Sequence, residues 1–141
     1  MEYRDEFPKS TLEGKPIPGK IALFQYTAKT AEQMPFYDRN PLCYLIAVER
    51  QTIFWGVNLH YHKPENRLSI MRYIDAGEDL ARLRGFHKYL KSYVRSPFLT
   101  IVTEEWEKAV NLDSEQFVRD FGSIEIDIDP KTVYRKGTLK N

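Results

Sequence analysis

PLCYLIAVERQTIFWGVNLHYHKPENRLSIMRYI, residues 41–74, is the stretch of sequence that decides the fold. Two apolar runs rich in β-forming residues, 42–49 and 52–61, are separated by a short polar turn, and this spacing predicts a β-hairpin. Gly56 in the second run predicts a bulge or a sharp bend. Pro64 suits the first position of a helix, so a helix is expected directly after the hairpin.

The rest of the chain is expected to pack around this hairpin as a single α+β domain. Further strands are predicted at 20–26, 98–102 and 124–128, and further helices at 78–94, 104–112 and 114–122. The run at 20–26 is apolar on both faces, which predicts that both faces are covered. The expected fold is a small SH3-like β-barrel, or a curled antiparallel sheet, with three to four packed helices.

The two ends of the chain differ from its centre. Prolines and glycines interrupt residues 1–19, which are predicted to form an extended arm with Tyr3 and Phe7 as anchors on a neighbouring subunit. Residues 20–129 are expected to form the domain. Residues 130–141 are predicted to be a basic tail with little to bury.

Composition narrows the functional class. The chain has 141 residues, 42% of them hydrophobic, and a net charge of +1, so it is a folded protein and not a polycation. Its single cysteine, Cys43, excludes an internal disulfide and predicts a small core residue. There is no secretory signal pattern and no apolar stretch long enough to cross a membrane. We expect a soluble protein in a reducing cytoplasm.

Catalytic motifs are missing from the sequence. There is no phosphate-binding glycine loop, no nucleophile elbow and no HExxH motif. His60 and His62 could form a metal pair at a strand end, but no third ligand is evident nearby, so we expect no metal and no cofactor. A small nuclease, such as a PemK-type ribonuclease, or a metal-dependent enzyme is the least favoured class.

Charge is unevenly distributed along the chain. Residues 82–95 hold five cations and no acid, whereas residues 104–129 hold nine acids against two cations. The five cations are Arg82, Arg84, Lys88, Lys91 and Arg95. Three interpretations stay open: the acidic part folds onto the basic helix, the basic helix docks on a protein partner or a second copy, or it contacts a phosphate backbone.

Three phrases carry a family resemblance: ALFQYTAKTAEQMPFYDRNPLCYLI (22–46), WGVNLHYHKPENRLSIM (55–71) and KYLKSYVRSPFLTIVTEEWEKAVNLDSEQF (88–117). They resemble a family of small virion-associated proteins of large contractile-tailed phages, some of which are labelled DNA end protectors. The chain departs from that pattern at His62-Lys63-Pro64, where the family has Leu-Pro after His-Tyr. The resemblance implies a phage origin and a place in, or in the assembly of, a particle. It transfers no catalytic residue.

Taken together, these observations predict a non-enzymatic virion structural or assembly protein, found in the virion and in the host cytoplasm during assembly. It would contact other phage structural proteins, or further copies of itself, through the arm and the charged helix, and it would not bind a membrane. The alternative is a DNA-binding protein that protects or positions genome ends through the five cations of residues 82–95.

Overall fold

Antiparallel strands and three short α-helices make up the computed structural model, which describes residues 3–140. The strands are β1 (Thr11–Glu13), β2 (Ile21–Leu23), β3 (Tyr37–Asp38), β4 (Leu42–Glu49), β5 (Ile53–Asn58), β6 (Phe86–Leu90), β7 (Phe98–Ile101), β8 (Phe117–Asp120) and β9 (Glu125–Asp127). The helices are α1 (Arg67–Asp75), α2 (Trp106–Asn111) and α3 (Pro130–Tyr134). One sheet has the order β1-β7-β2-β4-β5-β6 and the other β3-β8-β9. None of the described helices has the length and apolarity to span a bilayer.

The predicted hairpin is confirmed as β4 and β5. Its turn is residues 50–52, in which Arg50 and Gln51 have positive φ, 52° and 64°, the left-handed backbone that tight hairpin turns use. A bulge is present at the level of Gly56, but its extra residue is Ile46 on β4, since Leu45 pairs with Gly56 and Ala47 with Trp55. A Cβ on Gly56 would lie only 3.2 Å from the Tyr44 carbonyl oxygen, so the strands approach closely there.

Both faces of the six-stranded sheet are buried at β2, as the apolar run there predicts. Ile21 and Leu23 join the core that packs against α1 and α2, while Ala22 lies in an aromatic core on the other face. The rings of Phe54 on β5 and Phe98 on β7 are 5.5 Å apart although β2 and β4 lie between their strands. The sheet is therefore strongly curled around its aromatic face.

The expected SH3-like barrel is not confirmed. Strands β1 and β6 remain at the two edges of the larger sheet, so the described residues form no closed barrel. The coarser expectation, an α+β chain with antiparallel sheets and few helices, is correct.

The segment before residue 20 lies against its own chain. Phe7 has 0% exposed surface and belongs to the helix-side core, and Tyr3 packs against that core. Strand β1 pairs with β7 in the register Leu12 to Leu99. This corrects the expected extended arm for residues 3–13, since Phe7 is buried within its own chain. The division into domains stays a prediction, and Met1, Glu2 and Asn141 lie outside the described residues.

The predicted helix over 78–94 is wrong. Asp79 caps only a single 3-10 turn, Leu80–Arg82, and the chain then enters strand β6. Gly85 forces this change because its φ is +89° and a Cβ there would lie 2.6 Å from the Asn58 carbonyl oxygen. The leucine spacing of Leu80 and Leu83 imitates a helix, but pairing with β5 determines the structure.

Two further expectations near the C-terminus are corrected. The predicted helix over 114–122 is strand β8, because Phe117 and Val118 are buried and pair with β3. The tail after residue 129 buries more than expected: it forms α3, whose Val133 has 0% exposed surface. The other two predicted helices are present as α1 and α2, each preceded by a 3-10 turn.

Replacing Gly85 with alanine tests the strand assignment. We expect Gly85→Ala to lower the free energy of unfolding by about 2–3 kcal/mol, because the left-handed backbone and the close carbonyl both oppose a side chain. Gly14→Ala is the matched control, with no atom within 4 Å of the added Cβ, and should change stability by less than about 0.5 kcal/mol. Urea unfolding measures both. A stabilising Gly85→Ala would instead indicate a helix at this position.

Candidate nucleic-acid interface

The predicted cations Arg82, Arg84, Lys88 and Lys91 lie on or beside the outer strand β6 and not on a helix, whereas Arg95 lies past the end of β2, where its backbone N–H donates to the Gln25 carbonyl oxygen at 2.7 Å. We call residues 82–95 the basic segment. Lys88 is on the outer strand β6, Arg82 ends the 3-10 turn before it, and Lys91 begins the 3-10 turn after it. Of the five, Arg84 is half-buried and the others are exposed.

These cations are not neutralised within residues 3–140. The arginine and lysine ion pairs there are Arg39–Glu125, Arg67–Glu115 and Lys108–Glu6, and none involves the basic segment. The acidic part of the chain therefore makes no ion pair with the basic segment, which leaves its charge available to an external anion.

The C-terminal residues add charge to this edge. Lys140 N donates to the Arg82 carbonyl oxygen at 2.7 Å, and Arg84 N donates to the Thr138 carbonyl oxygen at 2.9 Å. This short antiparallel contact brings the exposed Lys140 next to the basic segment. Its effect reaches His87: burial, with the positive charges of Lys140 and Arg84, lowers the pKa of His87 to about 4.

An aromatic platform lies beside these charges. Trp55 on β5 is directly opposite Lys88 on β6, so both side chains lie on the same face of the sheet. The ring of Phe86 stacks on Trp55 with centroids 5.5 Å apart and an angle of 27°. Half-buried aromatic rings next to cations suit stacking on nucleic-acid bases. We call Trp55, Phe86 and Lys88 the Trp55 platform.

A cavity of about 240 Å³ lies along β6. Tyrosines and His87 form much of its wall, and the exposed Lys29 and Lys88 are the cations that line it. We call it the β6 cavity. Tyr89, a tyrosine within the basic segment, lies in the aromatic core at 5% exposure and contributes to this wall.

A buried hydrogen-bond network centres on Asp38. Its carboxylate accepts hydrogen bonds from the backbone N–H groups of Asn40 at 2.9 Å and Gln116 at 3.1 Å, and from Asn58 Nδ2 at 2.9 Å. His60 Nδ1 lies 2.7 Å from the same carboxylate. Burial raises the pKa of Asp38, but the positive charge of His60 and these hydrogen bonds outweigh burial and hold the pKa below its ordinary value.

Ser114, His60 and Asp38 are in the order of a nucleophile, a base and an orienting acid. His60 Nε2 lies 2.9 Å from Ser114 Oγ, which completes the row. His60 and Ser114 both have 0% exposed surface, so no substrate reaches the hydroxyl in this structure. The row therefore holds together the turn after β5, the end of β3 and the loop before β8.

The two histidines that were considered as a metal pair do not form one. Both nitrogens of His60 are used in the Asp38 network, and His62 Nε2 donates to the Arg84 carbonyl oxygen at 2.8 Å. Burial is the main reason that the pKa of His62 falls to about 4. Residues 3–140 contain no cluster of three or more His, Cys, Asp or Glu side chains that could hold a metal ion.

Arg67 forms a second buried network next to the first. Its guanidinium has 0% exposed surface and donates to the carbonyl oxygens of Leu59, His62 and Val110. It also pairs with Glu115 at 2.5 Å. The pKa of Glu115 is raised by burial, but the charge of His60 and the hydrogen bonds from Arg67 and Tyr134 lower it overall.

Sequence reasoning found the cations but missed their surroundings. Because the apolar spacing predicts a helix over 78–94, the sequence indicates neither the pairing of Lys88 with Trp55 nor the position of His87 in a cavity wall. The predicted anchors Tyr3 and Phe7 lie on the helix side of the sheet with the core that packs on α1 and α2.

Comparison with known proteins gives one family. The family model described as "Phage T4 terminal DNA protecting protein" matches residues 5–75, just over half of the chain. The match covers β1–β5 and α1, whereas the basic segment lies beyond it. No curated protein and no solved structure matches the chain.

Acid should unfold the protein through these buried carboxylates. The folded-state pKa of Asp38 and of Glu115 is below the ordinary value, so their contribution to stability is complete above about pH 4 and is lost as the pH falls through the lowered values. Asp38→Asn should lower the free energy of unfolding at pH 7 by about 3 kcal/mol, because its amide N–H would face the donors around it.

The same variant should show a shallower loss of stability between pH 5 and pH 2 (about the range in which carboxylates titrate), since one carboxylate fewer must take up a proton. The control is Glu78→Gln at an exposed acid, which should match the wild type at each pH. Urea unfolding across this range measures the effect. An unchanged stability and slope in Asp38→Asn would contradict the role given to the network.

Proposed function

This chain belongs to the phage T4 terminal DNA protecting protein family, and we propose that it binds the ends of phage DNA and shields them from nucleases. The family match is the observation that carries the proposal. It favours the DNA-end alternative from the sequence over a structural subunit that contacts its neighbours through an arm. The burial of Phe7 within its own chain points in the same direction.

The basic segment supports this proposal and gives the interface a location. Four exposed cations, Arg82, Lys88, Lys91 and Arg95, lie on or after the outer strand segment without ion pairs among residues 3–140, so they are free to contact phosphates. The Trp55 platform beside them offers a flat surface on which the terminal base pair of a duplex, which has one open face, can stack.

Protection in this proposal comes from occlusion and needs no catalytic step. A nuclease must reach the terminal phosphodiester, and a protein held on the last base pair by stacking and phosphate contacts blocks that approach. The Ser114–His60–Asp38 row is fully enclosed and serves the fold. We therefore assign the protein no enzymatic activity.

Salt dependence tests the interface. With two lysines of the basic segment neutralised in Lys88→Gln/Lys91→Gln, the slope of log affinity against log salt should become shallower by about 2, since each phosphate contact contributes about 0.9. Fluorescence anisotropy of a labelled duplex measures it. The control Lys9→Gln/Lys108→Gln removes the same charge from exposed lysines on the α2 side and should leave the slope unchanged.

End protection itself is tested with two duplexes of one sequence, one with open ends and one closed at both ends by hairpin loops. The wild type should bind the open duplex more tightly and slow its digestion by an exonuclease, and Lys88→Gln/Lys91→Gln should lose this protection. Equal affinity for both duplexes together with no protection would refute an end-binding function and leave only general DNA binding.

A second candidate function, attachment to a phage particle, is favoured by one surface. Phe121, Ile124 and Ile126 on the β8–β9 hairpin are 51%, 58% and 48% exposed, and β9 is an edge strand. Apolar side chains grouped at a sheet edge suit contact with another protein. We propose that this hairpin faces a particle component while the basic segment faces DNA.

Mass spectrometry of purified particles tests attachment. The protein should be present at a constant ratio to the major capsid protein, and Ile126→Ser should lower that ratio because it removes apolar contact area. Val48→Ser, at another strand position that is 42% exposed, is the control and should leave the ratio unchanged. Absence of the wild-type protein from particles would exclude attachment.

A further inference from the structure

The β6 cavity has room for a small planar ligand. Its volume of about 240 Å³ corresponds to about eight water molecules at roughly 30 Å³ each and is below the range of about 300–1,000 Å³ typical of drug-sized ligands. Aromatic side chains dominate its wall: Tyr26, Tyr37, Tyr61, His87 and Tyr89. Such a wall favours a flat ligand, which can contact several rings at once.

The free edge of β6 gives this cavity unused backbone groups. In an antiparallel pair, every second residue bonds to the partner strand. Asn58 N donates to the Gly85 carbonyl oxygen at one end of β6, and Lys91 N donates to the Thr52 carbonyl oxygen at the other end. The residues between them that bond to β5 are therefore His87 and Tyr89. The backbone N–H and C=O of Lys88 therefore point away from β5, toward an edge that has no partner strand among residues 3–140. Lys88 lines the cavity.

The backbone N–H of Leu90 is the next donor along this edge, and it also points away from β5. It donates to Tyr26 Oη, a cavity-wall group, at 3.1 Å. The edge of β6 and the tyrosine wall are thus in direct contact.

His87 contributes a side chain without a partner. Its Nε2 is buried and has no hydrogen-bond partner within residues 3–140. Because burial holds the pKa of His87 at about 4, the ring is neutral at pH 7 and has one donor and one acceptor nitrogen. The cavity therefore combines a neutral imidazole with an adjacent backbone donor and acceptor.

We propose that the β6 cavity binds one unpaired nucleobase at the end of the DNA. The base lies among the tyrosine rings, its polar edge pairs with the Lys88 backbone and with His87, and its phosphate pairs with Lys29, an exposed cation in the cavity wall. This inference deepens the proposed function and rests on it. It gives the protein a means to distinguish a terminus, where a base can leave the stack, from the interior of a duplex.

The chemistry of the cavity favours a nucleobase over other flat ligands. Flat bases carry donors and acceptors along one edge, which matches a strand edge, and the exposed Lys29 in the wall matches the phosphate that every nucleotide carries. The Trp55 platform lies on the opposite face of β5 and β6 from His87 and Tyr89, so the platform and the cavity are separate surfaces that share strand β6.

The experiment compares two open duplexes that each carry one unpaired terminal nucleotide, either with its base or abasic. Wild-type protein should bind the duplex with the base more tightly by about 5- to 100-fold, the contribution expected for stacking one base. His87→Leu and Thr30→Trp, which places a ring at the cavity wall, should reduce this preference to about 1. Both variants should bind the abasic duplex as the wild type does.

Thr27→Trp is the matched control, because Thr27 is exposed on the same connector and does not line the cavity. It should keep the preference of the wild type. Equal wild-type affinity for the two duplexes would overturn the base site and leave end binding intact. A preference that persists in both His87→Leu and Thr30→Trp would also overturn it.

Failure of the proposed function gives a different result. If the wild type bound neither duplex, the end-protecting function would fall. The base site would then be tested separately by comparing the binding of a deoxynucleoside 5′-monophosphate with that of deoxyribose 5-phosphate, which lacks the base. Binding of the nucleotide only, lost in Thr30→Trp and kept in Thr27→Trp, would support a base site; binding of both, or of neither, would overturn it.

Discussion

The buried carboxylate of Asp38 is the constraint on which the two sheets depend. A buried charge is costly unless its hydrogen bonds are satisfied, and here the donors come from three separate parts of the chain. Asn40 precedes β4, Asn58 ends β5, and Gln116 precedes β8. Any arrangement that moved β8 away would leave the carboxylate short of donors, so this one group fixes the small sheet against the large one.

Arg67 extends the same logic to the helices. Its guanidinium lies on α1, yet it bonds to carbonyl groups before α1 and at Val110 in α2, and it pairs with Glu115. The two charged centres are linked because His60 lowers the pKa of both Asp38 and Glu115. The interior is thus held by apolar packing on both sheet faces and, where elements meet, by polar groups whose geometry admits few alternatives.

Sequence reasoning succeeded where structure is local. The hairpin β4–β5, the level of its bulge and the helix after Pro64 follow from spacing, a glycine and a proline. It failed at 78–94 and 114–122, where the apolar spacing predicts a helix but contacts with distant residues favour a strand. In the first segment Gly85 packs on the Asn58 carbonyl oxygen. In the second, the backbone N–H of Gln116 donates to the Asp38 carboxylate. The identities of the five cations were readable, but their arrangement, including the neighbouring Trp55, depends on a strand pairing that no local pattern encodes.

Placing the basic segment on an outer strand changes what it can do. A helix would satisfy its own backbone and offer only side chains, whereas the edge of β6 offers side chains and unpaired backbone groups together. Successive residues then have different roles, because Lys88 presents charge and a free backbone edge while His87 lies in an aromatic cavity. The opposite wall, with Tyr26 and Tyr61, comes from residues 5–75 that match the family. Charge from one half of the chain and a shaped surface from the other therefore meet at one strand edge, which is the arrangement that the proposed binding of a DNA end uses.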